Sequence, residues 1–152
     1  MRRIERYDWR AQEAKLNSAL PQYRISIKVA KPSSTAMAST TSMSERESLR
    51  IHFLHVPSKH PNAIPVLLCY AWPSSFIEAQ KIVKALTDPQ SLPSYGAGAT
   101  QAFHVVVPSI PGFGFSDSSS AEKFGVKETA WVFDGLMQRL GYKSYVAHGS
   151  GW

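Results

Sequence analysis

Hydrophobic and polar residues recur along this chain with two different periods. The run Leu49-Arg50-Ile51-His52-Phe53-Leu54-His55-Val56 alternates with a period near two, which predicts a half-buried strand. Val66-Leu67-Leu68-Cys69-Tyr70 is short and continuously apolar, the pattern of a strand covered on both faces, and Phe103 to Val107 repeats it. Between these runs, Phe76, Ile77, Ala79, Ile82, Val83 and Leu86 fall at helical spacing and predict a helix over about 75–86. Ala130, Phe133, Leu136, Met137 and Leu140 predict another over 126–140, with Gly141 as its stop. Residues 144–147 read as a further short strand. Strands alternating with helices imply crossover connections, hence an α/β fold with a mainly parallel sheet and flanking helices.

The chain divides into three stretches. Residues 1–31 open with a helical pattern over 4–20, carried by Ile4, Tyr7, Trp9, Ala11, Ala14, Leu16 and Leu20. Pro21 ends it, because proline cannot continue a helix and biases the residue before it away from helical backbone. In 32–48, nine of seventeen residues are Ser or Thr, with little to bury and no period, so this stretch reads as a linker. Residues 49–152 hold the strand and helix patterns.

Composition supports a core: 43% of the 152 residues are hydrophobic and 18% charged. The uncharged run Ala63 to Pro73 falls well short of the roughly 20 residues a membrane helix needs. The net charge of +6 resembles that of a nucleic-acid binder, but its location changes the picture. Residues 1–31 carry eight Lys/Arg against three Asp/Glu, and the remaining 121 carry nine against eight. The basicity thus belongs to the N-terminal stretch and not to a folded binding face, so no nucleic-acid partner is expected. Glu5, Asp8 and Glu13 argue against a mitochondrial presequence, and no apolar run follows Met1-Arg2-Arg3 as in a secretory signal. Cys69 is the only cysteine, which excludes an intrachain disulfide and suits a reducing, cytoplasmic setting.

Ligands of such sheets bind beyond the carboxyl ends of the strands. Those ends are Tyr70–Ser74, Pro108–Asp117 and His148–Trp152. Four motifs there and upstream resemble the microsomal-type epoxide hydrolases of the α/β-hydrolase superfamily, particularly fungal ones. Tyr7-Asp8-Trp9-Arg10-Ala11-Gln12-Glu13-Ala14-Lys15-Leu16-Asn17 matches the family's N-terminal segment. Tyr70-Ala71-Trp72-Pro73-Ser74-Ser75-Phe76 matches its His-Gly-Trp-Pro-Gly-Ser-Phe loop. Pro108-Ser109-Ile110-Pro111-Gly112-Phe113-Gly114-Phe115-Ser116 matches almost unchanged, and Arg139-Leu140-Gly141-Tyr142 matches the approach to the nucleophile. The resemblance implies the N-terminal half of an α/β-hydrolase, reaching as far as the nucleophile elbow.

The resemblance also implies a chemistry. In the family an aspartate at the elbow opens the epoxide and forms an ester. A histidine and an acid from later in the chain then activate water to hydrolyse it, and two lid tyrosines polarise the epoxide oxygen. The implied substrate is a small epoxide and the product a vicinal diol, with no cofactor and no metal. The family elbow reads Gly-Gly-Asp-Trp-Gly. Aligned on its tryptophan, this chain reads Gly149-Ser150-Gly151-Trp152, so the nucleophile position falls on Gly151, which has no side chain to react. The other register makes Ser150 the nucleophile, but then His148 and Trp152 fill the flanking positions, where the elbow's sharp turn needs small residues. His148 and Ser150 alone do not make a dyad, having no third group to orient them.

By the same resemblance, Trp72 and Pro73 belong to the oxyanion loop, and Trp152 is a second donor and pocket wall. Trp72 and Phe113 read equally well as packing residues, Asp117 as a turn residue and Cys69 as a small buried hydrophobe. His52, His55, His60 and His104 read as surface or satisfied histidines. Three function classes remain: an epoxide hydrolase piece inactive alone, a non-catalytic binding or regulatory relative, or another α/β-hydrolase such as a dehalogenase or esterase. The motif Asp8-Trp9-Arg10 favours the epoxide hydrolase branch over dehalogenases. An incomplete sheet edge at 144–147 would invite a protein partner or self-association.

Overall fold

The computed structural model of the chain describes residues 7–30, 46–70, 72–91 and 101–150. The first helix, α1, spans Trp9–Ala19. It begins there because the Asp8 carboxylate accepts from the Ala11 N–H at 3.0 Å, satisfying one of the unpaired amides of the first turn. Pro21 ends the pattern as expected. Of the apolar face read over 4–20, Ile4 lies outside the described residues, Tyr7 and Trp9 are exposed, and the end is anchored by Leu16 and the fully buried Leu20.

Five strands form one sheet: β1 (Gln22–Ala30), β2 (Arg46–Val56), β3 (Ile64–Cys69), β4 (Phe103–Pro108) and β5 (Val146–Gly149). Their order is β1-β2-β4-β3-β5. β1 runs antiparallel to β2 from Gln22↔Leu54 to Ala30↔Arg46, and β2 runs antiparallel to β4. β4, β3 and β5 run parallel, with Leu67↔Val106 and Cys69↔Gly149 in register. The α/β class is as expected, but the sheet is evenly mixed and not mainly parallel. β1 adds the second antiparallel pairing, and its Tyr23, Ile25, Ile27 and Val29 alternate with Arg24, Ser26 and Lys28 in a strand's period of two. β1 belongs to the 1–31 stretch yet pairs along its whole length with β2, so one sheet crosses both boundaries of the 32–48 stretch. β2 already starts at Arg46, inside that stretch, and 31–45 lie outside the described residues.

The sheet is covered on both faces, and the period-two alternation assigns each residue its face. Ile51, Phe53, Leu67 and Val106 pack with Ile27 and Val29 against helix α3 (Val126–Arg139), through Val132, Phe133, Leu136 and Met137. Leu54, Val66, Leu68, Val105 and Val107 point the other way, onto Phe76, Ala79 and Val83. The helix predicted over 75–86 is two short pieces: a 3₁₀ turn at Phe76–Lys81 and α2 at Val83–Thr87. The bonds Glu78 N–H to Ser75 O and Ile82 N–H to Ala79 O close tighter turns than an α-helix allows.

α3 forms where its sequence pattern predicts it, with Phe133, Leu136 and Met137 buried as expected but Ala130 exposed. The Glu128 carboxylate turns back to accept from the Gly125 N–H at 2.9 Å. At the other end Gly141 has φ +90°, and the Tyr142 N–H reaches the Met137 carbonyl at 2.9 Å. A left-handed residue is what such a helix end requires, so glycine sits there without strain. β5 falls two residues later than the 144–147 expected, because pairing with Val66–Cys69 sets its register. Among the described residues β5 is an outer strand, and Val146–Gly149 are all exposed. No helix of the described residues is long and apolar enough to cross a membrane.

Candidate active site

β3, β4 and β5 run parallel, so the loops that follow them leave the sheet at one edge. Trp72 and Pro73 follow β3, Ser109–Asp117 follow β4, and Ser150 follows β5. The Ser150 N–H donates to the Cys69 carbonyl at 3.2 Å, extending the ladder by one step. The segments that follow β3 and β5 thus leave the sheet side by side. Ala71, Gly151 and Trp152, three positions singled out in the sequence, lie outside the described residues.

Trp72 is 62% exposed and Phe113 48% exposed. The packing reading of these two aromatics does not hold, because both stand at the open rim. Ser150 and His148 are exposed too, and no hydrogen bond joins them. Cys69 packs against the α3-side core, and burial pushes its thiol pKa up, so it stays a protonated, weakly reactive group.

The loop after β4 is the best-defined part of the site. Gly112 and Gly114 have φ of +84° and +57°, and a Cβ at Gly114 would come within 3.1 Å of Ser109 Oγ. Both the left-handed backbone and this close approach call for glycine at 114. Asp117 does more than turn the chain. Its carboxylate takes Arg24 at 2.9 Å and Arg50 Nε at 3.0 Å, and also accepts from the Arg50 backbone N–H. The Arg50 side chain chiefly, with its backbone, holds the carboxyl below its ordinary range. The two arginines come from adjacent strands, so one carboxylate ties the loop's end to β1 and β2.

Beneath the loop lies a buried polar group that sequence reading placed only in outline. His52, nearly fully buried, meets Ser109 Oγ through Nδ1 at 2.9 Å and Gln22 Oε1 through Nε2 at 3.1 Å. Its ring packs edge-on against Phe76 at 4.9 Å and Phe115 at 5.2 Å, one from each site loop. Ser116 Oγ accepts from the His52 N–H and donates to the Ser109 carbonyl. Burial first, then Arg24, holds the His52 imidazole below its ordinary pKa. The Tyr70 hydroxyl approaches Ser109 and the Ile110 backbone, and burial still raises its pKa. The signal for this cluster is the strand phase: 52 alternates with 54, and 109 with 105 and 107, so both polar residues point to the face that buries Leu54 and Val107. Three of the other histidines also have partners. His55 bonds the Tyr142 hydroxyl at 2.9 Å, His104 accepts from the Ser58 N–H at 3.0 Å, and His60 meets Asp88 at 3.4 Å.

Comparison with known proteins fits this geometry. Residues 3–79 match the family model described as epoxide hydrolase N terminus. A curated relative from Stigmatella aurantiaca is 43% identical over 147 residues, covering 97% of this chain and 28% of its own. Epoxide hydrolase 1 of Oryctolagus cuniculus is 36% identical, covering 96% of this chain and 28% of its own. The chain therefore spans a little over a quarter of the length of these relatives. The solved Aspergillus niger epoxide hydrolase superposes with a TM-score of 0.66 at 33% identity, over 97% of this chain and 32% of the solved one. The four-motif resemblance, the sheet order and these matches agree: the chain belongs to the epoxide hydrolase family of α/β-hydrolases and corresponds to its N-terminal part.

Proposed function

We propose that this chain carries the oxyanion side of a site that opens small epoxides to vicinal diols without cofactor or metal. The observation that carries the reading is the shared exit of the loops after β3 and β5, joined by the Ser150 N–H to the Cys69 carbonyl. In this reading the Trp72 backbone N–H, with that of Trp152, stabilises the oxyanion formed when water attacks the ester, since a fixed donor aimed at developing charge needs no reorganisation. Trp72 and Pro73 line the rim where the substrate enters. The single, partly buried Cys69 suits a reducing, cytoplasmic setting.

The 152-residue polypeptide by itself does not turn over epoxides in this reading. Aligned on the family tryptophan, its nucleophile position is Gly151, and Ser150 between His148 and Gly151-Trp152 does not meet the elbow's steric rule. The test is diol formation from an aromatic epoxide by the purified chain. The expected rate equals that of buffer. Turnover above buffer that is lost in Trp72→Pro overturns the claim of inactivity.

A further inference from the structure

The hydrogen bonds around His52 have a direction. Gln22 Nε2 donates to Asn17 Oδ1 at 2.8 Å, so Gln22 turns its carbonyl oxygen toward His52. An oxygen there can only accept, so Nε2 of His52 carries the proton and Nδ1 accepts from the Ser109 hydroxyl. The same imidazole holds both site loops, through Ser109 and Phe115 on one and Phe76 on the other. We propose that His52 is a positioning residue, and that adding a second proton to its ring releases the Ile110–Ser116 segment while the sheet stays folded.

The reason is a count of donors and acceptors. A protonated Nδ1 would donate to Ser109 Oγ, forcing the Ser109 proton to leave its only ring acceptor. Ser109 is fully buried, and a buried donor without an acceptor is costly. The acceptor left to it is the Tyr70 hydroxyl, which already bonds Ser109 and the Ile110 backbone and would have to turn its own proton away from Ser109. The charged groups around the ring make no place for a cation either. Arg24 on β1 repels it, and the Asp117 carboxylate is taken up by Arg24 and Arg50. From α1 and the 3₁₀ turn the ring sees only neutral partners, through Gln22 to Asn17 and directly at Phe76. The Asp117 ion pairs keep the far end of the segment tied to β1 and β2, which confines the release to the residues between Ile110 and Ser116.

The sign follows from the lowered affinity of the folded ring for a proton. The contribution of the neutral ring is complete above the ordinary imidazole pKa of about 6.5 and drains as pH falls below it. This inference is independent of whether the chain turns over an epoxide. The experiment is amide exchange and imidazole NMR on the whole chain between pH 7.5 and 5. Exchange at Gly112, Phe113 and Ser116, corrected for intrinsic rates, is expected to rise about tenfold per pH unit once His52 titrates. Exchange at Val105 to Val107 stays unchanged. His52→Asn keeps an acceptor near Nδ1 and cannot titrate, so the pH step disappears in that variant. Loop and core amides opening together would mean a merely structural role and would overturn the proposal. So would a step that persists in His52→Asn, or His52 titrating with no change in the loop. If His52→Asn does not fold, the wild-type titration alone decides between these outcomes.

Discussion

At the scale of single residues, the two side chains that fix the site loop are polar, and both act through geometry. Asp117 joins two strands through two arginines, and its carboxyl is held below its ordinary range. Its contribution is complete above the ordinary carboxylate pKa of about 4 and is lost as pH falls through and below it. Asp117→Asn is therefore expected to raise exchange in 112–117 at neutral pH and to remove the acid step below about pH 4, in an exchange series of both proteins. That window lies well below the one that belongs to His52. Gly114 is the other sensitive position. Gly114→Ala must hold a left-handed backbone and push Ser109, which predicts a loss of about 1–3 kcal/mol in urea denaturation.

At the scale of elements, burial separates α3 from α1. Leu136 and Met137 are fully buried between α3 and the sheet, whereas α1 has no buried residue within its span. Leu136→Ala is expected to destabilise the chain by about 2–5 kcal/mol, as deletion of buried core atoms does. Trp9→Ala is expected to change it by less than about 0.5 kcal/mol, because the ring is exposed. Paired thermal melts check both. The contrast shows what periodicity conveys. The α3 pattern predicted the helix and most of its buried face, Phe133, Leu136 and Met137, but Ala130 is exposed and the buried Val132 was not among the predicted residues. The α1 pattern predicted a helix, but its apolar stripe has no layer beneath most of it. β1 was legible too, since Tyr23, Ile25, Ile27 and Val29 alternate with Arg24, Ser26 and Lys28, but its pairing partner β2 was not.

At the scale of the whole molecule, the outer position of β5 among the described residues matters most. Val146, Ala147 and His148 line a groove of about 520 Å³ with Val66, Leu68, Ile82, Ala85, Leu86 and Phe103. An apolar groove beside an open strand edge favours pairing with another chain. The 152-residue polypeptide is thus expected to self-associate with rising concentration. Val146→Lys, which puts a charge on the edge, is expected to shift it toward monomer by light scattering. A sharp, cooperative melt of a monomer at all concentrations would count against this expectation.

The sequence by itself determined the family, the α/β class, most element positions and the three loops that meet at one sheet edge. These follow from period, turn residues and contiguous motifs, which are local. Only the tertiary structure decided that Trp72 and Phe113 stand at the rim, that β1 closes the sheet antiparallel, and that Asp117 grips two strands. It alone brought His52 and Ser109, 57 positions apart, into one hydrogen bond. Such contacts depend on which strands become neighbours, and the order β1-β2-β4-β3-β5 is set by packing the whole sheet between its helices.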